Sequence, residues 1–327
     1  MKKMNWKKAK QVIQKNKRFA LTAHMYPDGD AIGAEMALYH YLTALGKEVR
    51  VINNQPTLST HTFLDPKGVI ELFDEKKHPQ VLAAVDVILI VDVSSWDYMG
   101  RVGESVKNSP AFKICIDHHV KKGALGNLDF IDETTCATGE LVYDMFQQIK
   151  AKITVPMATA LYTAIITDTG VFRFSNTTAR AHLIAADLLA IGIDHNQIYQ
   201  SLYEANSWPK MHLLKECLSE IQSEEKGKIA WVLITDKMVK KSKATWDDSN
   251  NLIDMLRTIE GVKISIIFRE LEKGILKIHF RSKDGIDIQP LAHKLGGGGH
   301  RVAAGASVEG AAKKLIPKIL AEAKKLL

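Results

Sequence analysis

Between residues 21 and 33 the chain reads LTAHMYPDGDAIG, which sets His24, Asp28 and Asp30 within seven positions directly behind a short apolar run. Two carboxylates this close repel unless something positive lies between them. A lysine or arginine, a helix N-terminus or a metal ion would each serve. Three further places carry the same chemistry. Asp92 closes VILIVD, Asp117, His118 and His119 close FKICIDHH, and Asp168 closes LYTAIITD. His24, Asp28, Asp30, Asp92, His118 and Asp168 together offer four carboxylates and two imidazoles but no thiolate. Such a set suits manganese, with zinc, cobalt and iron also compatible. It exceeds the needs of one ion but serves two if one carboxylate bridges, and two ions roughly 3.5–4 Å apart activate water and clamp a phosphoryl group. A pair of divalent cations is the expected source of the positive charge.

Plainer readings exist for some of these residues taken singly. Asp30 before a helical run reads as an N-cap, and Asp92 before Val-Ser-Ser as a turn former. The triplet Asp117-His118-His119 has no such reading, because three titratable groups beside a buried strand are costly without partners. His40, His61, His182, His195 and His212 stand alone and take no role.

The elements that must position these groups alternate. Apolar runs at 18–23, 48–52, 87–91 and 112–116 read as short buried strands. Helical spacing marks 30–46, 136–149, 155–167 and 177–192. The fold class expected is α/β, with a mainly parallel sheet flanked by helices on both faces. In such sheets ligands bind beyond the carboxyl ends of the strands, where three of the motifs fall. Residues 193–226 read as polar helix connecting two domains, with Pro209 a break or kink. From 227 onward strands are expected at 229–234, 262–269 and 274–281, and helices near 246–257, 287–295 and 309–326, forming a smaller α/β domain. The segment HKLGGGGHRVAAG (293–305) interrupts this order as a glycine-rich loop.

At 327 residues the chain is long enough for two domains. Hydrophobic content of 46% and charged content of 25% are those of a globular protein. No run approaches the ~20 apolar residues of a membrane span, and the basic N-terminus lacks an apolar signal core. The cytoplasm is the expected location, with no membrane partner. Cys115, Cys136 and Cys217 are scattered, which argues against a disulfide framework or a thiolate metal site. Residues 228–327 hold 19 Lys and Arg against 11 Asp and Glu, whereas residues 1–227 hold 25 against 26. The positive excess therefore lies in the C-terminal third, as a surface that attracts phosphate-bearing ligands requires.

The sequence resembles the DHH phosphoesterases. Their His-x-x-x-Asp-x-Asp loop, strand-end Asp, Asp-His-His triplet and later Asp match HMYPDGD, Asp92, residues 117–119 and Asp168, in order. GGGGHRVAAG is similar to the glycine-rich motif of the DHH-associated C-terminal domain. The resemblance implies a catalytic DHH domain over 1–192, a helical linker over 193–226 and a substrate-binding domain over 227–327. It implies that His24, Asp28 and Asp92 hold one manganese ion, and that Asp30, Asp92, His118 and Asp168 hold the other, with Asp92 bridging. Asp117 then orients an imidazole, and His119 faces the substrate phosphate or leaving oxygen. Gly298 and Gly299 present backbone N–H groups to a phosphate, His300 and Arg301 follow, and Arg281 is a further candidate for phosphate or base contact.

Within the family the chain is most similar to the compact bifunctional oligoribonucleases that also act on 3'-phosphoadenosine 5'-phosphate (pAp). The implied activity is cleavage of short RNA oligonucleotides to nucleoside 5'-monophosphates and removal of one phosphate from pAp. Aromatic residues make up 7% of the chain, few for the stacking platforms that long strands require. Cyclic di-AMP or pApA hydrolysis is the near alternative, and a non-catalytic nucleotide or RNA sensor the distant one. A homodimer is expected, since family members often pair.

Overall fold

A computed structural model describes residues 4–121, 123–250 and 252–327. In chain order the elements of the first half are α1 (Lys7–Lys15), β1 (Arg18–Thr22), α2 (Gly29–Ala44), β2 (Glu48–Asn53), β3 (Ile70–Leu72), α3 (His78–Ala84), β4 (Val87–Val91), α4 (Gly100–Asn108), β5 (Phe112–Asp117), β6 (Leu128–Ile131), α5 (Thr138–Ile149), α6 (Val155–Asp168), α7 (Ala179–Ala190) and α8 (His195–Tyr199). A π-helical turn, Gln200–Glu204, follows. The second half carries α9 (Trp208–Ser219), β7 (Gln222–Glu224), β8 (Ile229–Thr235), α10 (Asp236–Lys241), α11 (Leu252–Thr258), β9 (Ile264–Leu271), β10 (Ile275–Ser282), α12 (Gln289–Lys294), β11 (Gly298–His300), β12 (Ala303–Glu309) and α13 (Ala312–Lys324). The chain divides into two compact units, Met1–Ala205 and Asn206–Leu327.

The first unit is built on a parallel sheet in the order β3-β2-β1-β4-β5-β6. Alternate residues of its strands enter two cores. Phe19, Leu21, Val87, Leu89, Ile114 and Ile116 pack under α1, α2, α5 and α6. Ala20, Ile88, Ile90 and Cys115 pack with Leu82, Met99, Val102 and Val106 on the other face. Burial on both faces is why β4 reads as the unbroken run VILIV. The strand order reverses between β1 and β4, and ligands in such sheets sit outside the carboxyl ends at that reversal.

The helices α2 and α6 approach closely because of glycine. A Cβ on Gly33 would lie 2.5 Å from the Ala160 carbonyl oxygen, and one on Gly29 would lie 2.4 Å from Thr167 Cγ2. The N-terminus of α2, with Asp28 and Asp30, is thereby brought against the C-terminus of α6, with Asp168.

The second unit carries a sheet in the order β11-β12-β10-β9-β8-β7, antiparallel except between β8 and β9. One face packs on α12 and α13 through Leu276, Ile278, Phe280, Leu291 and Ile319. Residues 193–226 are shared between the units. Ile198 and Leu202 belong to the first core, and Leu213 and Cys217 of α9 belong to the second unit. Pro209 does not break a helix there. It stands in the first turn of α9, where its missing N–H is not needed.

Candidate metal centre

The six proposed ligands converge at the carboxyl ends of β1, β4 and β5. Three groups of side chains offer ligand atoms within 4.8 Å of one another: His24, Asp28 and Asp92; Asp30, His118 and Asp168; and Asp92, His118 and His119. His24 Nε2 lies 4.0 Å from Asp28 Oδ1 and 3.5 Å from Asp92 Oδ2. His118 Nε2 lies 3.7 Å from Asp30 Oδ2, 3.6 Å from Asp92 Oδ1 and 3.8 Å from Asp168 Oδ2. Asp92 thus turns one carboxylate oxygen toward each histidine.

Local structure explains each placement. Asp28, not Asp30, is the N-cap of α2, and its Oδ1 accepts from the backbone N–H of Asp30 and Ala31 at 3.0 and 3.2 Å. Asp30 is buried in the first turn, where its carboxylate accepts from the N–H groups of Thr138 and Gly139 at 2.6 and 2.8 Å. It therefore sits on the positive N-terminus of α5. Gly29 lies within α2, so it supplies room against Thr167 rather than an unusual dihedral. Asp92 has φ 55, a left-handed conformation that Asp tolerates better than most residues. That turn aims its carboxylate back across the strand ends. Thr138 Oγ1 donates to Asp92 Oδ1 at 3.0 Å, and Asn176 Nδ2 donates to Asp168 Oδ2 at 3.0 Å.

The His118 ring fixes its own role. Its Nδ1 faces the Thr135 carbonyl oxygen at 3.4 Å. Its Nε2 is buried, without a hydrogen-bond partner, and aimed at three carboxylates. Two atoms that each ligate one cation at about 2.0–2.2 Å stand roughly 3–4 Å apart. The observed separations fit that spacing, and the donor set fits a hard or borderline divalent ion. His119 Nδ1 bonds Asp117 Oδ1 at 2.8 Å and lies 3.5 Å from Asp92 Oδ1.

The electrostatics point the same way. Burial and the charges of Asp92, Asp168 and Asp28 push the Asp30 carboxyl well up. Burial raises Asp168 to about 6, with His118 opposing and Asp92 and Asp28 adding to the rise. Burial would lower His24, but hydrogen bonds to Asp28 and Asp92 outweigh it and push the ring up to about 10. Burial likewise opposes His119, which Asp117 and Asp92 raise to about 9. Among the described residues no lysine or arginine forms an ion pair with Asp28, Asp30, Asp92 or Asp168. Helix termini serve Asp28 and Asp30, and the mutual repulsion that remains is what a cation relieves.

The remaining predicted residues lie in the second unit. The glycine-rich segment is not a loop: Gly298, Gly299 and His300 form the edge strand β11, paired with Gly305, Ala304 and Ala303. A Cβ on Gly297 would lie 2.0 Å from the Gly305 carbonyl oxygen, and Gly299 has φ +137, so close strand approach and backbone conformation both require glycine. Arg301 follows at the turn, mostly exposed, with Nη2 donating to the Gly285 carbonyl at 3.1 Å and Nε 3.9 Å from Asp287 Oδ2. Arg281 lies in β10, partly exposed, and donates to its neighbour's carbonyl oxygen. The sequence reading missed Thr138, Gly139 and Asn176. Their only signal is the Ala-Thr-Gly-Glu start of a helix and a polar residue eight positions after Asp168.

Known proteins match across the chain. The N-terminal domain of the DHH family matches residues 18–165, and the DHHA1 domain matches residues 227–327. A bifunctional oligoribonuclease and PAP phosphatase NrnA of Thermus thermophilus is 33% identical over 291 residues, spanning 89% of this chain and 84% of that protein. A protein of the same name from Mycoplasma genitalium is 28% identical and spans 98% of both chains. The crystal structure of an exopolyphosphatase-related protein from Bacteroides fragilis superposes with a TM-score of 0.94 at 25% identity, over 99% of this chain and 97% of that one.

Proposed function

Since the chain belongs to the DHH family and carries its DHHA1 domain, we propose that it is a manganese-dependent phosphoric ester hydrolase that degrades short oligoribonucleotides to nucleoside 5'-monophosphates and removes one phosphate from pAp. The relatives named as oligoribonuclease and PAP phosphatase support both substrates. The observation that carries the reading is the position of Asp92, whose two oxygens face His24 and His118 at 3.5 and 3.6 Å. Two ions are assigned, one to His24, Asp28 and Asp92, the other to Asp30, Asp92, His118 and Asp168.

When bound, such ions acidify water and offset the negative charge that grows on a phosphoryl group. The chain's residues supply the rest. Thr138 and Asn176 fix the carboxylates of Asp92 and Asp168, and the start of α5 fixes Asp30. Asp117 holds His119 at Nδ1, which orients that ring as proton donor to a phosphate or leaving oxygen. Substrate binding is assigned to Gly298, Gly299, His300, Arg301 and Arg281 of the second unit. The whole reaction is assigned to the cytoplasm. No helix among the described residues is long and apolar enough to cross a membrane.

The test is product analysis with 5'-labelled RNA of two to ten nucleotides, alongside pAp, pApA and cyclic di-AMP, with manganese and then with chelator. Mononucleotides from the shortest RNAs and phosphate release from pAp support the reading. Turnover confined to cyclic di-AMP or pApA, or binding without product, overturns it.

A further inference from the structure

The turn that enters α5 reaches all four ligands assigned to one of the two ions. His118 Nδ1 faces the Thr135 carbonyl oxygen at 3.4 Å. The Cys136 carbonyl oxygen accepts from Asn176 Nδ2 at 2.9 Å, and the same Nδ2 donates to Asp168 Oδ2 at 3.0 Å. Thr138 Oγ1 donates to Asp92 Oδ1, which is the oxygen turned toward His118. The N–H groups of Thr138 and Gly139 hold Asp30. Among the described residues no hydrogen bond joins residues 135–140 to His24 or Asp28. Asp28 is held from α2 itself, by the N–H groups of Asp30 and Ala31.

What fixes this turn is Glu140. The helix has no cap of its own, because Ala137 stands at the N-cap and has no side-chain oxygen. Glu140 Oε2 reaches back four residues and accepts from the Cys136 N–H at 2.9 Å, much as the third helical residue does in a capping box. The side chain is 2% exposed. Its Oε1 lies 3.2 Å from Arg180 Nε on α7, and Arg180 Nη2 donates in turn to Asp144. Gly139 allows the close seat on α6, since a Cβ there would lie 2.5 Å from Ala164 Cβ.

The peptide between Thr135 and Cys136 connects the two halves of this arrangement. A trans peptide points its N–H and its C=O in opposite directions. Here the N–H meets Glu140 and the C=O meets His118 Nδ1. A carboxylate on the N–H polarises the peptide and strengthens its carbonyl as an acceptor. A partner on one ring nitrogen sets the orientation of a histidine whose other nitrogen binds a metal.

We propose that Glu140 is a positioning residue for one cation and not for the other. Through the Thr135–Cys136 peptide it sets the His118 ring, and with it the site of Asp30, Asp92, His118 and Asp168. The site of His24, Asp28 and Asp92 stands without it. The inference rests on the two-ion reading proposed above and deepens it, because it makes the two sites unequal in what supports them.

The test is a manganese titration of the full chain after EDTA and dialysis, without substrate. Free ion is counted by electron paramagnetic resonance, with circular dichroism as the control for folding. The wild type should take up two ions. Glu140→Asp keeps the charge beside Arg180 but falls one methylene short of the Cys136 N–H. It should weaken one ion about tenfold or more, as loss of an outer partner does, and leave the other unchanged. Glu140→Gln drops the charge but keeps an accepting oxygen at the same reach, and should bind both ions as the wild type does. Equal weakening of both ions in Glu140→Asp, or of neither, overturns the proposal. So does loss in Glu140→Gln with retention in Glu140→Asp, which marks an effect of charge alone. If the wild type takes up a single ion, the two-ion reading fails by itself. Weakening of that ion in Glu140→Asp with rescue in Glu140→Gln then still supports the peptide link, and any other pattern overturns it. A wild type that takes up no manganese overturns both.

Discussion

Asp92 Oδ1 stands 3.6 Å from His118 Nε2, while the second oxygen of the same carboxylate stands 3.5 Å from His24 Nε2. One side chain at the end of β4 therefore joins a loop after β1 to a triplet after β5. The strand reversal that sets β1 beside β4 is what makes the junction possible.

Asp92→Asn should lose hydrolysis of every substrate by about three orders of magnitude or more, because it removes the ligand shared by two ions. The fold should persist, since asparagine has the same shape, its Oδ1 can still accept from Thr138 Oγ1, and it tolerates the left-handed φ of this position as aspartate does. Rates on triadenylate and pAp, with circular dichroism as control, check this. Loss on one substrate alone would contradict a shared ligand.

Gly33→Ala should destabilise the first unit, although alanine is normally the better helix former by about 1 kcal/mol. Its Cβ would lie 2.5 Å from the Ala160 carbonyl oxygen, which is backbone and cannot swing aside. Overpacking of this kind costs roughly 1–3 kcal/mol. Urea denaturation measures it, and manganese affinity should fall in the same variant because α2 and α6 carry opposing ligands. A stabilised variant would refute the close packing.

Glu35 gives a pH dependence of stability. Burial raises its carboxyl from 4.5 to about 8, against a hydrogen bond from Asn53 Nδ2 at 2.7 Å. A raised acid favours the native state in its protonated form. The contribution is full below pH 4.5, declines as pH rises through about 8, and is absent above that. The slope within this window is at most about 1.4 kcal/mol per pH unit. Glu35→Gln should flatten the profile and be the more stable protein at pH 8. Parallel profiles for the two proteins would contradict the assignment.

How much of this was legible in the sequence follows from where each residue lies. His24, Asp92 and His118 stand directly after apolar runs, so strand ends and ligands could be read together. The short strands β3 and β6 were not read, because Ile-Glu-Leu and Leu-Asp-Phe-Ile are too brief to show a period. The glycines at 296–299 read as a loop because glycine disfavours strands. Only the closeness of Gly305 to Gly297 shows why a strand there needs them. Thr138 and Gly139 escaped notice because their contact with Asp30 spans more than a hundred residues and exists only in three dimensions.

Manganese affinity should fall on the acid side. The Asp168 carboxyl is raised to about 6, and Asp30 is raised as well, so protons compete with a cation for both. Titration of manganese at pH 5 and pH 8 should show weaker binding at the lower pH, with proton release on binding. Affinity independent of pH across this range would contradict ligation by these carboxylates.

The central claim is that the cluster around Asp92 holds the cations on which hydrolysis depends. The direct measurement is the rate of triadenylate cleavage by one preparation as isolated, after EDTA and dialysis, and after manganese is returned. The account predicts loss of product after chelation and recovery with manganese in the wild-type protein, without recovery in His118→Ala. Undiminished cleavage after chelation would contradict it.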